Sequence, residues 1–160
     1  MTPLHGDHDG GLYFFPHADF SVSEIENDFA SSDKGPGMGY FNQNWPHWFS
    51  PDLMEFLDRK EGPFDQSLVI TTDEDIIAIP TPGHSVGHLS IIIHSARVVL
   101  GGDAVFNKEM LNKEIPAYVL PNKEGKLSVK LLKQYIQESG YTLLSSHDAT
   151  VPKLLESNHV

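Results

Sequence analysis

The sequence predicts an α/β fold with helices lying beside a layered sheet, and three observations point there. Short β-branched or apolar runs crowd one part of the chain, at residues 68–72, 76–80, 89–94 and 98–100. Amphipathic stretches with helix-start and helix-stop residues lie on both sides of that block. Three strand-like runs lead straight into a histidine or an aspartate, where functional groups collect in layered α/β proteins.

Taken in order, the chain opens on L-H-G-D-H-D-G-G at residues 4–11. His5 and His8 offer imidazole nitrogen and Asp7 offers a hard carboxylate oxygen, a mixture suited to zinc or another first-row divalent ion. In an extended chain the adjacent Asp7 and His8 would diverge, so the motif needs a turn, which Gly6, Gly10 and Gly11 can supply. On these residues alone a polar N-terminal tail is the competing reading.

Residues 12–15 form a short apolar run before Pro16. A strand is expected near 19–22 and a helix over 24–30, behind Ser23 and with acidic residues suited to its N-terminus. Residues 31–40, S-S-D-K-G-P-G-M-G-Y, read as a loop. Tyr40, Phe41, Trp45, Trp48 and Phe49 then cluster around His47, and core packing is favoured over a substrate-pocket wall. Ser50-Pro51 pairs an N-cap with a first-turn proline and predicts a helix to about Lys60, ahead of Gly62-Pro63.

The runs at 68–72 and 76–80 flank Asp73-Glu74-Asp75 as a hairpin. Those at 89–94 and 98–100 follow around a turn at 95–97, so the sheet is antiparallel or mixed. Ser128 is expected to cap a helix of about eleven residues, with Val129, Leu131, Leu132, Tyr135 and Ile136 apolar and Gly140 ending it. A strand at 141–145 and a helical turn or two at 151–156 complete the chain.

Bulk properties narrow the function. The 160 residues are most simply one domain, 1–160, with the 39% apolar and 21% charged make-up of an ordinary globular protein. No apolar run of about eighteen residues is present to span a membrane, and no secretory signal pattern is recognised. A formal charge of −11 argues against nucleic acid as a partner, since phosphate binding needs a basic surface. With no cysteine among the residues, disulfides, thiolate zinc sites and cysteine nucleophiles are excluded. Any metal site must use carboxylates and some of the nine histidines. A cytoplasmic protein acting on a small molecule is the expectation.

The strand ends supply candidates. Residues 76–81 run into P-G-H-S-V-G-H-L-S, 98–100 into G-G-D-A, and 143–145 into Ser146-His147-Asp148. If the sheet brings these ends to the opening motif, His5, Asp7, His8, His84, Asp103 and His147 form one constellation. Simpler readings exist: a turn cap for His84, an N-cap for Asp103, an ordinary post-strand residue for His147. His88 is expected to support the site from behind rather than to ligate. His17, His47, His94 and His159 lack such context.

These blocks resemble the metallo-β-lactamase superfamily. Its pattern is T-H-x-H-x-D-H, then T-P-G-H-T-x-G-H-x-S, then an apolar strand ending G-D, then a late histidine. Here the pieces stand as Thr2-Pro3-Leu4-His5-Gly6-Asp7-His8, as Thr81-Pro82-Gly83-His84-Ser85-Val86-Gly87-His88-Leu89-Ser90, as Gly102-Asp103 and as His147. The blocks look most like the N-acyl-homoserine lactonase group, and glyoxalase-II-like thioesterases share much of the pattern. The resemblance implies an αββα sandwich and two zinc ions. His5 and His84 would hold the first ion, Asp7, His8 and His147 the second, and Asp103 would bridge them. It also implies attack on a lactone or ester carbonyl by a water that the two cations share and acidify, with Asp7 as catalytic residue moving a proton to the leaving alkoxide.

Three departures qualify these implications. The family's leading histidine falls on Pro3, which leaves His5, His84 and Asp103 for the first ion and implies a weaker site. Metal binding without catalysis is then the alternative function, beside thioester hydrolysis. The family pattern carries a β-rich portion ahead of the motif, so the sandwich is expected to lack its N-terminal strands, with a sheet face or edge open unless a homodimer covers it. Finally, Phe106 stands three residues after Asp103, where homoserine lactonases tend to carry a tyrosine.

Overall fold

The computed structural model describes Met1, residues 3–117 and residues 123–158; Thr2 and His159 lie outside them. The turn that the opening motif requires is a single helical one, α1 (Gly6–Asp9). His5 stays extended at its N-cap, and the amides of His8 and Asp9 fold back onto the His5 carbonyl at 2.8 and 3.1 Å. Successive helical side chains differ by about 100° rather than pointing oppositely, so Asp7 and His8 can address one region.

Strand β1 (Ser21–Ser23) leads directly into α2 (Glu24–Ser31), close to the expected boundaries. The helix expected over residues 50–60 does not form. Strand β2 (Asp52–Met54) takes its place and pairs in parallel with β1, the Asp52 amide donating to Phe20 at 2.7 Å. The reason is burial. Leu53 and Leu57 stay 49% and 58% exposed, so a helix there would have no face to bury, and Pro51 accepts an extended entry as readily as a helical one.

The main sheet follows: β3 (Leu68–Val69), β4 (Ile76–Pro80), β5 (Leu89–Ile93), β6 (Val98–Gly102) and, after two helices, β7 (Thr142–Ser145), in that spatial order. Pairing is antiparallel as far as β6 and parallel between β6 and β7. Because β4 and β6 are each antiparallel to β5, and β7 is parallel to β6, all three run the same way. The loops that follow them therefore leave the same end of the sheet.

Each face of the sheet carries a row of apolar side chains. Val69, Ile77, Ile92, Val99 and Leu143 align across the strands, and most join the main core with Phe64, Val105, Leu132 and Tyr135. On the other face Leu68, Ala78, Ile91, Leu100 and Leu144 align, and Leu100 remains 37% exposed.

Helix α3 (Lys108–Asn112) was not anticipated; Asn107 caps it, its side chain accepting from the Met110 amide at 2.9 Å. Helix α4 (Lys123–Ser139) lays Val129, Leu132 and Tyr135 on the sheet and ends before Gly140, as predicted. Its start differs. Ser128 lies inside the helix and its hydroxyl donates to the Pro82 carbonyl at 2.7 Å, so the serine ties the helix to the loop after β4 instead of capping it. Helix α5 (Val151–Asn158) closes the fold.

A second, smaller core joins Leu4, Val22, Ala30 and Tyr40 with Phe29, Trp45 and Phe49. Most of the aromatic cluster thus packs, as favoured from the sequence. Phe41 lines one cleft and Tyr40 a second cavity.

Candidate metal centre

Six sequence-selected residues meet at the end of the sheet where β4, β6 and β7 finish. α1 presents Asp7 and His8, with His5 at its N-cap. The loops after β4, β6 and β7 present His84, Asp103 and His147. Asp103 is the pivot. The Nε2 atoms of His8, His84 and His147 lie 3.1, 3.3 and 3.3 Å from its Oδ2. Asp7 sits at the rim, its Oδ2 3.5 Å from His147 Nε2 and 3.7 Å from His8 Nε2. Ligand atoms of Asp7, His8, Asp103 and His147 all lie within 4.8 Å of one another. His5 reaches this group through His84, with Nδ1 3.0 Å from His84 Nε2. Pro3 is buried and offers no side-chain donor.

Local chemistry aims each group. Gly102 adopts φ 53° beside a register shift between Leu100 and Gly102, a bulge geometry that suits glycine and turns Asp103 off the strand. The Asp103 amide donates to His88 Nε2 at 3.0 Å. His88 must therefore carry its proton on Nδ1, which lies 2.9 Å from Thr81 Oγ1. Thr81 in turn lies 2.9 Å from Ser90 Oγ, and the Ser90 hydroxyl donates to the Gly101 carbonyl at 3.2 Å. One direction of donation satisfies every atom in that chain, which ends one residue before β6 does. His88 thus braces Asp103 from behind, as expected.

Electrostatics follow from this packing. Burial alone would push Asp103 up, but His8, then His84 and His147, hold its carboxyl down to about 2. His8 is raised, chiefly by its hydrogen bond to Asp103. His5 is lowered by burial and by His84, and burial drives His88 to about 3. Asp9 is raised by burial and accepts from Trp45 Nε1 at 2.6 Å, pinning α1 to the aromatic core.

The donor set fits a divalent metal. His84 Nδ1 lies 3.0 Å from the Ala117 carbonyl, so that nitrogen holds the proton and Nε2 presents a lone pair. That lone pair faces His5 Nδ1 at 3.0 Å and Asp103 Oδ2, another acceptor, at 3.3 Å. Asp103 Oδ1 is buried with no hydrogen-bond partner among the described residues. Opposed acceptors and an orphaned carboxylate oxygen are the arrangement a cation resolves. Beside the centre lies a cleft of about 810 Å³ walled by Phe41 and Phe106 and by His5, Asp7, His84, Asp103 and His147. A second, apolar cavity of about 440 Å³ opens at His5 and His84, lined by Phe29, Met38, Tyr40, Pro82 and Val86.

Sequence reasoning missed three contributors: Glu26, the Tyr40 hydroxyl and Ser85. The only hint at Glu26 was its place three residues after Ser23 at a helix start, a local pattern that points elsewhere.

A mixed sheet that gathers histidines and aspartates from three strand ends and one helical turn defines a layered α/β protein with a candidate metal centre. The chain belongs to the metallo-β-lactamase superfamily, whose family model matches residues 2–147. It is 28% identical over 154 residues to N-acyl homoserine lactonase AttM of Rhizobium radiobacter, covering 92% of this chain and 56% of that protein. Against N-acyl homoserine lactonase of Bacillus cereus the identity is 24% over 152 residues, covering 91% and 53%. The chain thus spans about half the length of the curated relatives it matches. Among solved structures it resembles an N-acyl homoserine lactone hydrolase with bound N-hexanoyl-L-homoserine. The TM-score is 0.74 at 23% identity, covering 95% of this chain and 56% of that one. That likeness is one of fold.

Proposed function

We propose that this chain carries the metal centre of a hydrolase that opens a lactone, with an acyl-homoserine lactone as substrate and two zinc ions as cofactor. The observation that carries the reading is the convergence of three imidazole Nε2 atoms on Asp103 Oδ2, beside a buried Oδ1 with no partner among the described residues. Relatives named N-acyl homoserine lactonase support the substrate class. His5 and His84 would hold one ion and Asp7, His8 and His147 the other, with Asp103 shared by both sets. Pro3 adds no ligand, so the first ion would be the more weakly held.

When bound, the two ions supply Lewis acidity and a water acidified toward neutrality. The rest is the work of side chains. Attack of the water oxygen on the ring carbonyl forms one C–O bond and breaks another, leaving an open hydroxy acid. Asp7, 60% exposed at the rim, carries the proton to the departing alkoxide. Phe41 and Phe106 narrow the cleft and exclude water, and the apolar cavity beside His5 and His84 receives the acyl chain.

A thioester is the second substrate reading, favoured by Phe106, which offers no hydroxyl to a lactone carbonyl. The same reading takes residues 1–160 as one domain whose half-covered sheet face pairs with a second copy of the chain. Metal content by elemental analysis, alongside turnover of an acyl-homoserine lactone and of a thioester, tests it. Stoichiometric zinc with faster lactone turnover is expected. Substoichiometric metal with no turnover of either substrate leaves the enzyme reading without support.

A further inference from the structure

Glu26 on α2 is 1% exposed and belongs to no proposed ligand set, yet it bonds to the segments that carry His5 and His84. Its sequence setting, Ser23-Glu24-Ile25-Glu26, has the spacing of a capping box, in which the glutamate would fold back onto the helix N-terminus. It does not. Ser23 makes no side-chain cap bond, and the Glu26 carboxylate turns inward.

Four neutral donors fill that carboxylate. Oε1 accepts from the Leu4 amide at 3.1 Å and the Tyr40 hydroxyl at 3.0 Å. Oε2 accepts from the Ser85 hydroxyl at 2.8 Å and the Gly87 amide at 2.9 Å. Leu4 precedes His5, and the Tyr40 ring packs 4.5 Å from the His5 imidazole. Ser85 follows His84, and Gly87 precedes His88. One oxygen thus holds the His5 segment and the other holds the His84 loop. The approach is close: a Cβ on Gly87 would lie 2.4 Å from the Glu26 amide nitrogen. A buried carboxylate is costly to keep unless its lone pairs are filled, so the two segments are locked to it and through it to each other.

We propose that Glu26 is the positioning residue that sets the spacing of His5 and His84 for a shared cation. A glutamine at this place cannot replace it. One end of the amide still accepts, but the other presents N–H groups to the Gly87 amide or the Leu4 amide, so one of the two segments is released. The inference rests on the cation-binding reading of the site.

The test compares wild-type protein with Glu26→Gln for zinc affinity, by competition with a chromogenic chelator, and for the absorption spectrum of the cobalt(II)-loaded form. Glu26→Gln is expected to weaken one equivalent of zinc by about 10- to 100-fold, the usual effect of losing a group that orients a ligand, and to alter the cobalt bands. Wild-type zinc affinity and an unchanged spectrum in a variant that has lost only thermal stability would overturn the inference and leave the cation reading intact. Wild-type protein that binds no zinc overturns both. Should Glu26→Gln fail to fold, Ser85→Ala, which removes a single bond on the His84 side, decides: weaker zinc binding is expected, and wild-type affinity refutes the assignment.

Discussion

His88 shows how a side chain outside the proposed ligand set is constrained by one inside it. The Asp103 amide donates to its Nε2, the proton is held on Nδ1, and burial brings its pKa to about 3. In the unfolded chain the same group titrates near 6.5. The unfolded state therefore takes up a proton first as pH falls, and stability present above about pH 6.5 is lost toward pH 3, by about 1.4 kcal/mol per unit in the steep part. Urea midpoints of the metal-free protein at pH 7.5 and pH 5 should show that loss, and His88→Gln should reduce the difference between them. Asp103→Asn is expected to cost more metal affinity than the about 10- to 100-fold of a group that only orients a ligand, as measured by chelator competition. Gly87→Ala should lower both stability and zinc affinity, because its methyl meets the Glu26 backbone at 2.4–2.8 Å; calorimetry and zinc titration check the pair. These residues were unequally legible. His5, Asp7, His8, His84, Asp103 and His147 carry their chemistry in their side chains. Glu26 is a common residue in an acidic stretch, and only its burial against Leu4, Tyr40, Ser85 and Gly87 gives it a role.

At the scale of elements, local signals succeeded where burial agreed with them. The β-branched runs that became β4, β5 and β6 had a sheet to join and a core to fill. The Ser50-Pro51 helix start had neither, since Leu53 and Leu57 meet solvent, and β1 offered backbone partners instead. Ser128 misled for the opposite reason: a residue type that often caps helices found a carbonyl across the fold, at Pro82. Through that bond α4 steadies the loop that carries His84. Leu132→Ala, fully buried between α4 and the sheet, should destabilise the protein by about 2–5 kcal/mol in chemical denaturation.

For the whole molecule, strand direction does most to assemble the centre. β4, β6 and β7 run together, so three residues more than sixty positions apart at their extremes, His84, Asp103 and His147, leave one edge of the sheet and meet α1 there. A cation held among them stabilises only the folded chain. Chelation is therefore expected to lower the melting temperature, by about 5–10 °C if free zinc had stood near a hundredfold above its dissociation constant. The row of Leu68, Ala78, Ile91, Leu100 and Leu144, in which Leu100 is 37% exposed, belongs to this scale too. If a second copy covers it, Leu100→Lys will shift sedimentation toward the monomer; an unchanged profile removes the dimer from the reading. The sequence by itself determined the layered α/β class, the six polar groups at the centre and their chemistry, because periodicity and ligand type are local properties. Only the tertiary structure decided that three imidazole Nε2 atoms converge on Asp103 Oδ2, and that Glu26 ties the His5 segment to the His84 loop. Those are statements about distance between remote segments, and distance is set by which faces bury together, not by the residues taken one at a time.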